Sequence, residues 1–187
     1  TRDSLINPTR GSRLGFLTEV AGLGGNVDYI RVEGAAGRWW PTFEAGNQVF
    51  SLIGRTGTLT PYNGKSIPFF EKYFLGGPYN LRGYKYRDVG PRDSSGEVIG
   101  GDTMAYGSAE YSVEIIEPIR IAGFYDGGFV NSSDWDWSTD DYQHDLGMGL
   151  RIFIFGAPLR LDFAYPLNVM GGQHRKWNFN FSFGTVF

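Results

Sequence analysis

The feature that most constrains this chain is an alternation of apolar and polar residues with a period of two, which is typical of a β-strand with two different faces. It is clearest near the C-terminal end, where one face is aromatic and the other is polar or small. The first face carries Trp177, Phe179, Phe181, Phe183 and Phe187 with Thr185 among them, and the second carries Asn178, Asn180, Ser182 and Gly184. A helix does not keep such a set on one side, so the pattern predicts strands.

Seven further segments alternate in the same way, so the chain is predicted to contain eight strands. Two of these segments, Leu146–Ile154 and Leu159–Leu167, are almost as regular as the last one. The less regular segments are Arg13–Leu23, Val27–Trp40, Phe43–Gly57, Thr103–Ile116 and Ile119–Asn131. Glycine (28 residues) and aromatic residues (17%) are abundant, as expected of closed β-structures with many turns.

The connections between these segments alternate in length, with Gly22–Asn26 as the exception. The tight turns are Trp40-Pro41-Thr42, Glu117-Pro118 and Gly156-Ala157-Pro158, and the long connections are Thr58–Asp102, Ser132–Gln143 and Asn168–Lys176. Short turns on one rim and long loops on the other are typical of a transmembrane barrel. An even number of strands then puts both termini at the short-turn rim, which faces the periplasm.

Alternation alone does not decide which face points inward, since a soluble barrel has an apolar interior. Charges of both signs on the proposed inner face favour a membrane barrel; they are Glu19, Arg31, Glu33, Glu110, Glu114, Arg120, Asp126, Arg151, Arg160 and Asp162. Aromatic residues at strand ends also favour it; they are Trp39, Trp40, Phe43, Tyr165, Trp177 and Phe187. We therefore predict an all-β, eight-stranded antiparallel transmembrane up-and-down β-barrel with a long external loop at about residues 58–102, forming one domain over residues 1–187. A soluble barrel or sandwich is the alternative.

The composition argues against several classes of function. A net charge of −3 provides no basic field for nucleic acid, and the absence of cysteine excludes a disulfide framework, a cysteine zinc site and a thiol nucleophile. His144 and His174 are isolated, and an acidic cluster lacks the spacing of a calcium loop; its members are Asp134, Asp136, Asp140 and Asp141. We predict no enzyme activity, cofactor or metal site.

The segment Tyr73–Tyr84 reads YFLGGPYNLRGY and resembles the signature of BamA-like outer-membrane protein assembly factors (the bacterial surface antigen barrel), in which a Gly-Gly pair precedes an Arg-Gly-Phe/Tyr triplet in the sixth external loop. Further matches follow in order: Asn7–Gly11 before that segment, then Val89–Pro91, Gly100-Gly101, Ala109–Tyr111, Phe124–Gly128, Gly147–Arg151, Pro158–Asp162 and Gly184–Phe187. The end of the chain, with Phe181, Phe183 and Phe187, resembles the C-terminal strand signal of that family. The resemblance covers the last eight strands of a sixteen-stranded barrel and no periplasmic POTRA repeat, so a trimmed piece and a small natural relative both stay open.

The resemblance implies a role for the long loop. Arg82 would dock against Glu110 and Asp126 and pin the loop to the barrel wall, while Gly76, Gly77 and Gly83 permit sharp turns around it. Tyr84 completes the Arg-Gly-Tyr triplet. In the alternative, Arg82 is a solvated charge, and Glu110 and Asp126 pair with Arg120 or Arg151. If the barrel closes at eight strands, the loop is expected over or outside its mouth, because such an interior is just filled by side chains.

The resemblance also implies function: folding and insertion of other outer-membrane barrels without a covalent step, in the bacterial outer membrane with the termini toward the periplasm. The implied partners are the lipid bilayer, unfolded outer-membrane clients, and periplasmic or lipoprotein accessory factors. In the family the seam between the first and last strands opens to template a client, which predicts such a seam between Arg13–Leu23 and Trp177–Phe187. An inert or narrow-pore barrel, a related secretion translocator and a soluble ligand-binding barrel are the alternatives.

Overall fold

The computed structural model describes residues 1–4, 7–22, 27–43, 47–154, 157–169 and 175–184. They form one eight-stranded sheet in which every strand pairs antiparallel with its neighbour in the chain, so the predicted up-and-down order is confirmed. The strands are β1 (Gly11–Ala21), β2 (Tyr29–Pro41), β3 (Gln48–Pro61), β4 (Thr103–Ile116), β5 (Ile119–Asn131), β6 (Gln143–Ile154), β7 (Ala157–Pro166) and β8 (Asn178–Phe183). The predicted positions Leu23, Gly156, His174 and Phe187 lie outside the described residues.

The bounds of β4 and β5 are as predicted, whereas β3 lies closer to the C terminus than the predicted segment Phe43–Gly57. Pro41 still belongs to β2 and pairs with Val49, so the turn predicted at Trp40-Pro41-Thr42 lies later in the chain. A proline is tolerated here because it stands at the end of its strand. The sequence pattern marks the proline as a breaker but does not show that pairing continues past it.

The two faces of the sheet have opposite character. On the outer face, apolar side chains are exposed to the surroundings, with Phe16 75%, Met148 63% and Phe181 60% exposed. On the inner face, Asp126 and Asp162 are at most 1% exposed. An apolar outer face and a polar interior are expected of a lipid-facing wall. The soluble barrel with an apolar lining is therefore wrong.

β1 and β8 stand at the two edges of this sheet. Within the described parts of the two strands no ladder joins them, so closure into a barrel of eight strands stays a prediction. The predicted seam between these strands stays a prediction as well. Their backbone groups can pair with an added strand, which is a general property of sheet edges.

The long loop spans residues 62–102, because Thr58 pairs with Thr103 and extends β3 past the predicted start of the loop at residue 58. Two bridges join parts of the loop to each other, Tyr73 with Gly101 and Leu75 with Val89, and the loop lies along the inner face. Loop and strands share one apolar cluster, which consists of Tyr29, Leu59, Ile67, Tyr73, Leu75, Leu81, Tyr84, Val89, Met104 and Val130. The loop is thus packed along the inside of the sheet. A position over or outside the mouth is the expectation for a barrel closed at eight strands. The inner face of the described sheet has room for the loop.

Candidate functional site: the docked Arg82 loop

Arg82 joins the loop to the middle of the inner face. Its guanidinium donates two hydrogen bonds to the Asp126 carboxylate, from Nε to Oδ2 at 2.7 Å and from Nη2 to Oδ1 at 2.7 Å. Nη1 donates to Glu110 Oε2 at 2.8 Å. The fork geometry of arginine suits such a two-point contact with a carboxylate. The structure therefore brings together the three residues that the resemblance pairs.

Arg82 is only 3% exposed, so the alternative in which it is solvated is wrong. One part of that alternative is nevertheless true, because Arg151 Nη2 also donates to Glu110, at 2.8 Å. Arg120 contacts Glu114 instead, at 3.3 Å. Glu110 is thus shared between the loop arginine and a wall arginine, and both pairings exist at once.

The charge of Arg82 is stabilised by its surroundings. Burial by itself would lower the pKa of Arg82, but attraction to Asp126 and then to Glu110 outweighs burial and raises the pKa above its ordinary value. The Cζ atom also lies 3.3 Å from the centroid of the Phe124 ring, a cation–π contact. Arg82 therefore stays charged, and its contacts do not depend on pH through its own titration.

Two asparagines of β8 also hold the loop through hydrogen bonds. Asn180 Nδ2 donates to the Arg82 carbonyl at 2.6 Å, and Asn178 Nδ2 donates to the same oxygen at 3.0 Å. On the β4 side, Ser108 Oγ accepts from Arg82 Nη2 at 3.0 Å and donates to Asp126 at 2.6 Å. The alternation predicts that both asparagines lie on the polar face. Nothing in the sequence indicates that they contact a loop residue almost 100 positions away.

We expect Asn180→Ala to weaken loop docking by about 1 kcal/mol, the usual net value of one hydrogen bond. Asn178→Ala removes two longer contacts with the loop, to the carbonyl oxygens of Arg82 at 3.0 Å and of Tyr84 at 3.1 Å, and is expected to weaken docking by a similar amount. Both changes are measured as the rate of protease cleavage within residues 62–102 of the folded chain. Equal rates for both variants and the unchanged chain would contradict a role for β8 in holding the loop.

The loop glycines serve two different purposes. Gly76 and Gly77 both have φ of +106°, a left-handed region that favours glycine and that suits their predicted role in sharp turns. Gly83 lies in the turn closed by the hydrogen bond from the Tyr84 N–H to the Leu81 carbonyl oxygen at 3.2 Å, but it has no left-handed φ. A Cβ atom added at Gly83 would lie 2.4 Å from the Cβ of Asp145. Gly83 is small because the loop backbone rests directly on β6.

Tyr84 and Tyr73 anchor the loop on either side of Arg82. The Tyr84 hydroxyl lies 2.6 Å from the carbonyl oxygen of Asn168 and 3.0 Å from that of His144. The Tyr73 hydroxyl donates to Glu33 of β2 at 3.0 Å. The loop is therefore held at both ends of the inner face.

The chemistry of this arrangement is structural. Asp126, Glu110 and Ser108 contact the Arg82 side chain as hydrogen-bond or ion-pair partners. None of them is an activated nucleophile next to a base. Among the residues that the structure describes, no group of three or more His, Cys, Asp or Glu side chains is arranged to hold a metal ion. The site can fix a loop to a wall.

A cavity of about 140 Å³ lies beside the docked loop on the inner face. Its lining includes Arg82, Glu110 and Arg160. It is bounded by the loop, by wall strands and by the N-terminal segment, which shows that the sheet curves around the loop. Arg82 and Glu110 therefore form part of the wall of an interior space.

Comparisons with known proteins agree with this fold. A family model described as the Omp85 superfamily domain matches residues 1–187. The outer membrane protein assembly factor BamA of Nitratidesulfovibrio vulgaris is 32% identical over 100% of this chain and 24% of its own length. BamA of Neisseria meningitidis serogroup B is 28% identical over 99% of this chain and 27% of its own length. The sorting and assembly machinery component 50 homolog of Mus musculus is 33% identical over 92% of this chain and 40% of its own length.

A solved structure shares the fold. The crystal structure of BamA from Haemophilus ducreyi lacking POTRA domains 1–3 superposes with a TM-score of 0.83 at 21% identity, covering 98% of this chain and 40% of that one. The chain spans about a quarter of the length of the BamA relatives named above. Because the family model matches the whole chain, residues 1–187, the chain belongs to the Omp85 superfamily.

Proposed function

We propose that this chain is the barrel portion of an outer-membrane protein assembly factor, which folds and inserts other outer-membrane proteins without covalent chemistry. The observation that carries the proposal is the loop 62–102, pinned by Arg82 to the inside of a sheet whose outer face is apolar. The relatives bear names of assembly factors. Residues 1–187 act as one transmembrane β-barrel domain.

In this proposal the docked loop keeps the wall in one shape. Arg82 ties β4 to β5 through Glu110 and Asp126, and its carbonyl reaches β8 through Asn180. A wall held in this way can expose its edge strands, β1 and β8, without losing its curvature. A client strand would then add to an edge through main-chain hydrogen bonds.

The proposed location is the bacterial outer membrane, with both termini at the periplasmic rim. The support is the even number of strands, which places the start of β1 and the end of β8 at the same rim as the short turns. The partners are the lipid bilayer and unfolded outer-membrane clients. Periplasmic or lipoprotein accessory factors belong to the same proposal.

The test is the folding rate of an unrelated small barrel protein into liposomes that already contain this chain. We expect the chain to accelerate folding over empty liposomes, and Arg82→Ala to remove most of the acceleration because the loop is released. The matched control is Arg92→Ala, since Arg92 contacts Asp88 and Gly96 of the same loop. It is expected to retain the acceleration.

The outcome decides between the proposal and an inert barrel. Absence of acceleration by a chain shown to be folded would mean that this part of the protein has the fold of the family without the activity. Acceleration that Arg82→Ala and Arg92→Ala leave equally intact would mean that the edges act without the docked loop.

A further inference from the structure

A further buried carboxyl group lies beside Arg82, Glu110 and Asp126. Asp145 of β6 is 0% exposed and stands directly opposite Asp126 of β5, which is also 0% exposed. Cross-strand neighbours of this kind have Cβ atoms about 5 Å apart. The backbone N–H of Gly83 faces the carboxyl group of Asp145, but neither carboxyl oxygen accepts a hydrogen bond of good geometry from the described residues.

The charges around Asp145 are balanced without it. Three arginines and three carboxylates form a connected set of ion pairs no longer than 4.0 Å, and they are Arg82, Arg151, Arg160, Glu110, Asp126 and Asp162. No described cation forms an ion pair with Asp145 within this distance. An additional ionised carboxylate would be buried without a partner, next to the negative charge of Asp126, which is very costly in free energy.

The groups that face Asp145 do not change this balance. On the β7 side its register partner is Pro166, which has no N–H to donate. The other titratable groups near it are Arg82, Tyr84, Asp126, Tyr142 and its chain neighbour His144, and Arg175 lies near Tyr84 without an ion pair to Asp145. Arg82 is already committed to Asp126 and Glu110, and the Tyr84 hydroxyl is directed at the carbonyls of Asn168 and His144.

We propose that Asp145 is a positioning residue of the Arg82 loop, and that it acts as a neutral carboxylic acid whose proton is donated to the Asp126 carboxylate. A buried carboxylic acid kept neutral as a hydrogen-bond donor is a known arrangement in proteins. The neutral side chain supplies the surface on which Gly83 rests. The inference deepens the proposed function, on which it rests for the role of the docked loop.

Docking of the loop should then depend on pH. Ionisation of Asp145 would put two buried carboxylates opposite each other and would release the loop above them. A group that is protonated in the docked state and ionised in the undocked state makes undocking release a proton, so docking weakens as the pH rises. Mild alkali should therefore free the loop while the strands stay paired.

The test is infrared spectroscopy of the folded chain in deuterated buffer at neutral pH. We expect a carbonyl band of a protonated carboxylic acid that disappears in Asp145→Asn and persists in the matched control Asp134→Asn, which changes a partly exposed aspartate in the connection after β5. Absence of the band, or its persistence in Asp145→Asn, would overturn the proposal. The band does not depend on insertion activity, so this result and a failure of the proposed function are distinguishable.

Loop cleavage as a function of pH gives a second readout that a merely space-filling role would not move. Asn has the shape of the neutral acid and a donor for Asp126, so Asp145→Asn is expected to stay docked at neutral pH and to lose the alkaline release. Asp145→Ala lacks both and is expected to be cleaved faster at all pH values. An Asn variant cleaved as fast as the Ala variant at neutral pH would overturn the proposal.

Discussion

Replacing Arg82 by alanine is expected to release the 62–102 loop from the inner face while the eight strands remain paired. The change leaves Asp126 buried at 0% exposure without its two-point partner, and removing one partner of a buried pair costs about 3–5 kcal/mol. Glu110 keeps Arg151, so the penalty falls mainly on Asp126. The measurement is protease cleavage within the loop together with the temperature of unfolding in detergent micelles.

Two further variants make this result specific. Arg92→Ala removes an arginine whose contacts with Asp88 and Gly96 lie within the loop, and the loop is expected to stay docked. Arg82→Lys keeps the charge but cannot form the fork of hydrogen bonds, so an intermediate cleavage rate is expected. A loop that is equally protected in Arg82→Ala and in the unchanged chain would show that the apolar cluster alone holds it.

Gly83→Ala is expected to displace the loop almost as strongly, although it removes no hydrogen bond. The new Cβ would lie 2.4 Å from the Cβ of Asp145, a distance at which the backbone of the loop or of β6 must move. Overpacking of this kind typically costs about 1–3 kcal/mol. We expect faster cleavage within the loop and a lower unfolding temperature. Gly123→Ala on β5 is the matched control, because a Cβ there meets nothing within 4 Å.

A second-site change tests the cause of this effect. Asp145→Gly removes the side-chain atoms that the methyl group introduced by Gly83→Ala would meet, so the double variant should lose less docking than the sum of the two single variants. The two substitutions share one contact and should therefore be strongly non-additive. Additive effects would mean that Gly83 is required for a reason other than its approach to β6.

The strands were predictable because alternation is a local property of the chain. In Thr103–Ile116 and Ile119–Asn131, the polarity of each residue indicates which face of the sheet it occupies. Both strands have their predicted bounds. β3 was harder to place, because its ends depend on pairing: Val49 lies opposite Pro41, and Thr58 lies opposite Thr103. A partner strand can extend a strand beyond its own pattern.

The candidate site was predicted in part, and by resemblance more than by pattern. The Arg82, Glu110 and Asp126 contact follows from the similarity to a known family and is seen in the structure. Asn180 and Ser108 were not predicted as partners, since nothing local to either residue shows what will approach it. The reason for Gly83 was likewise hidden, because its neighbour Asp145 is 62 positions away in the sequence.

The sequence by itself determined the all-β character, the order of eight strands and which residues share a face, because side chains in a strand alternate with a period of two. The tertiary structure decided which face is the interior and where the 62–102 loop lies. It also decided that Asp145 faces Asp126. The ion pairs with the arginines are formed by Asp126, Glu110 and Asp162. These are distances between residues far apart in the chain, and only the curvature and register of the sheet bring them together.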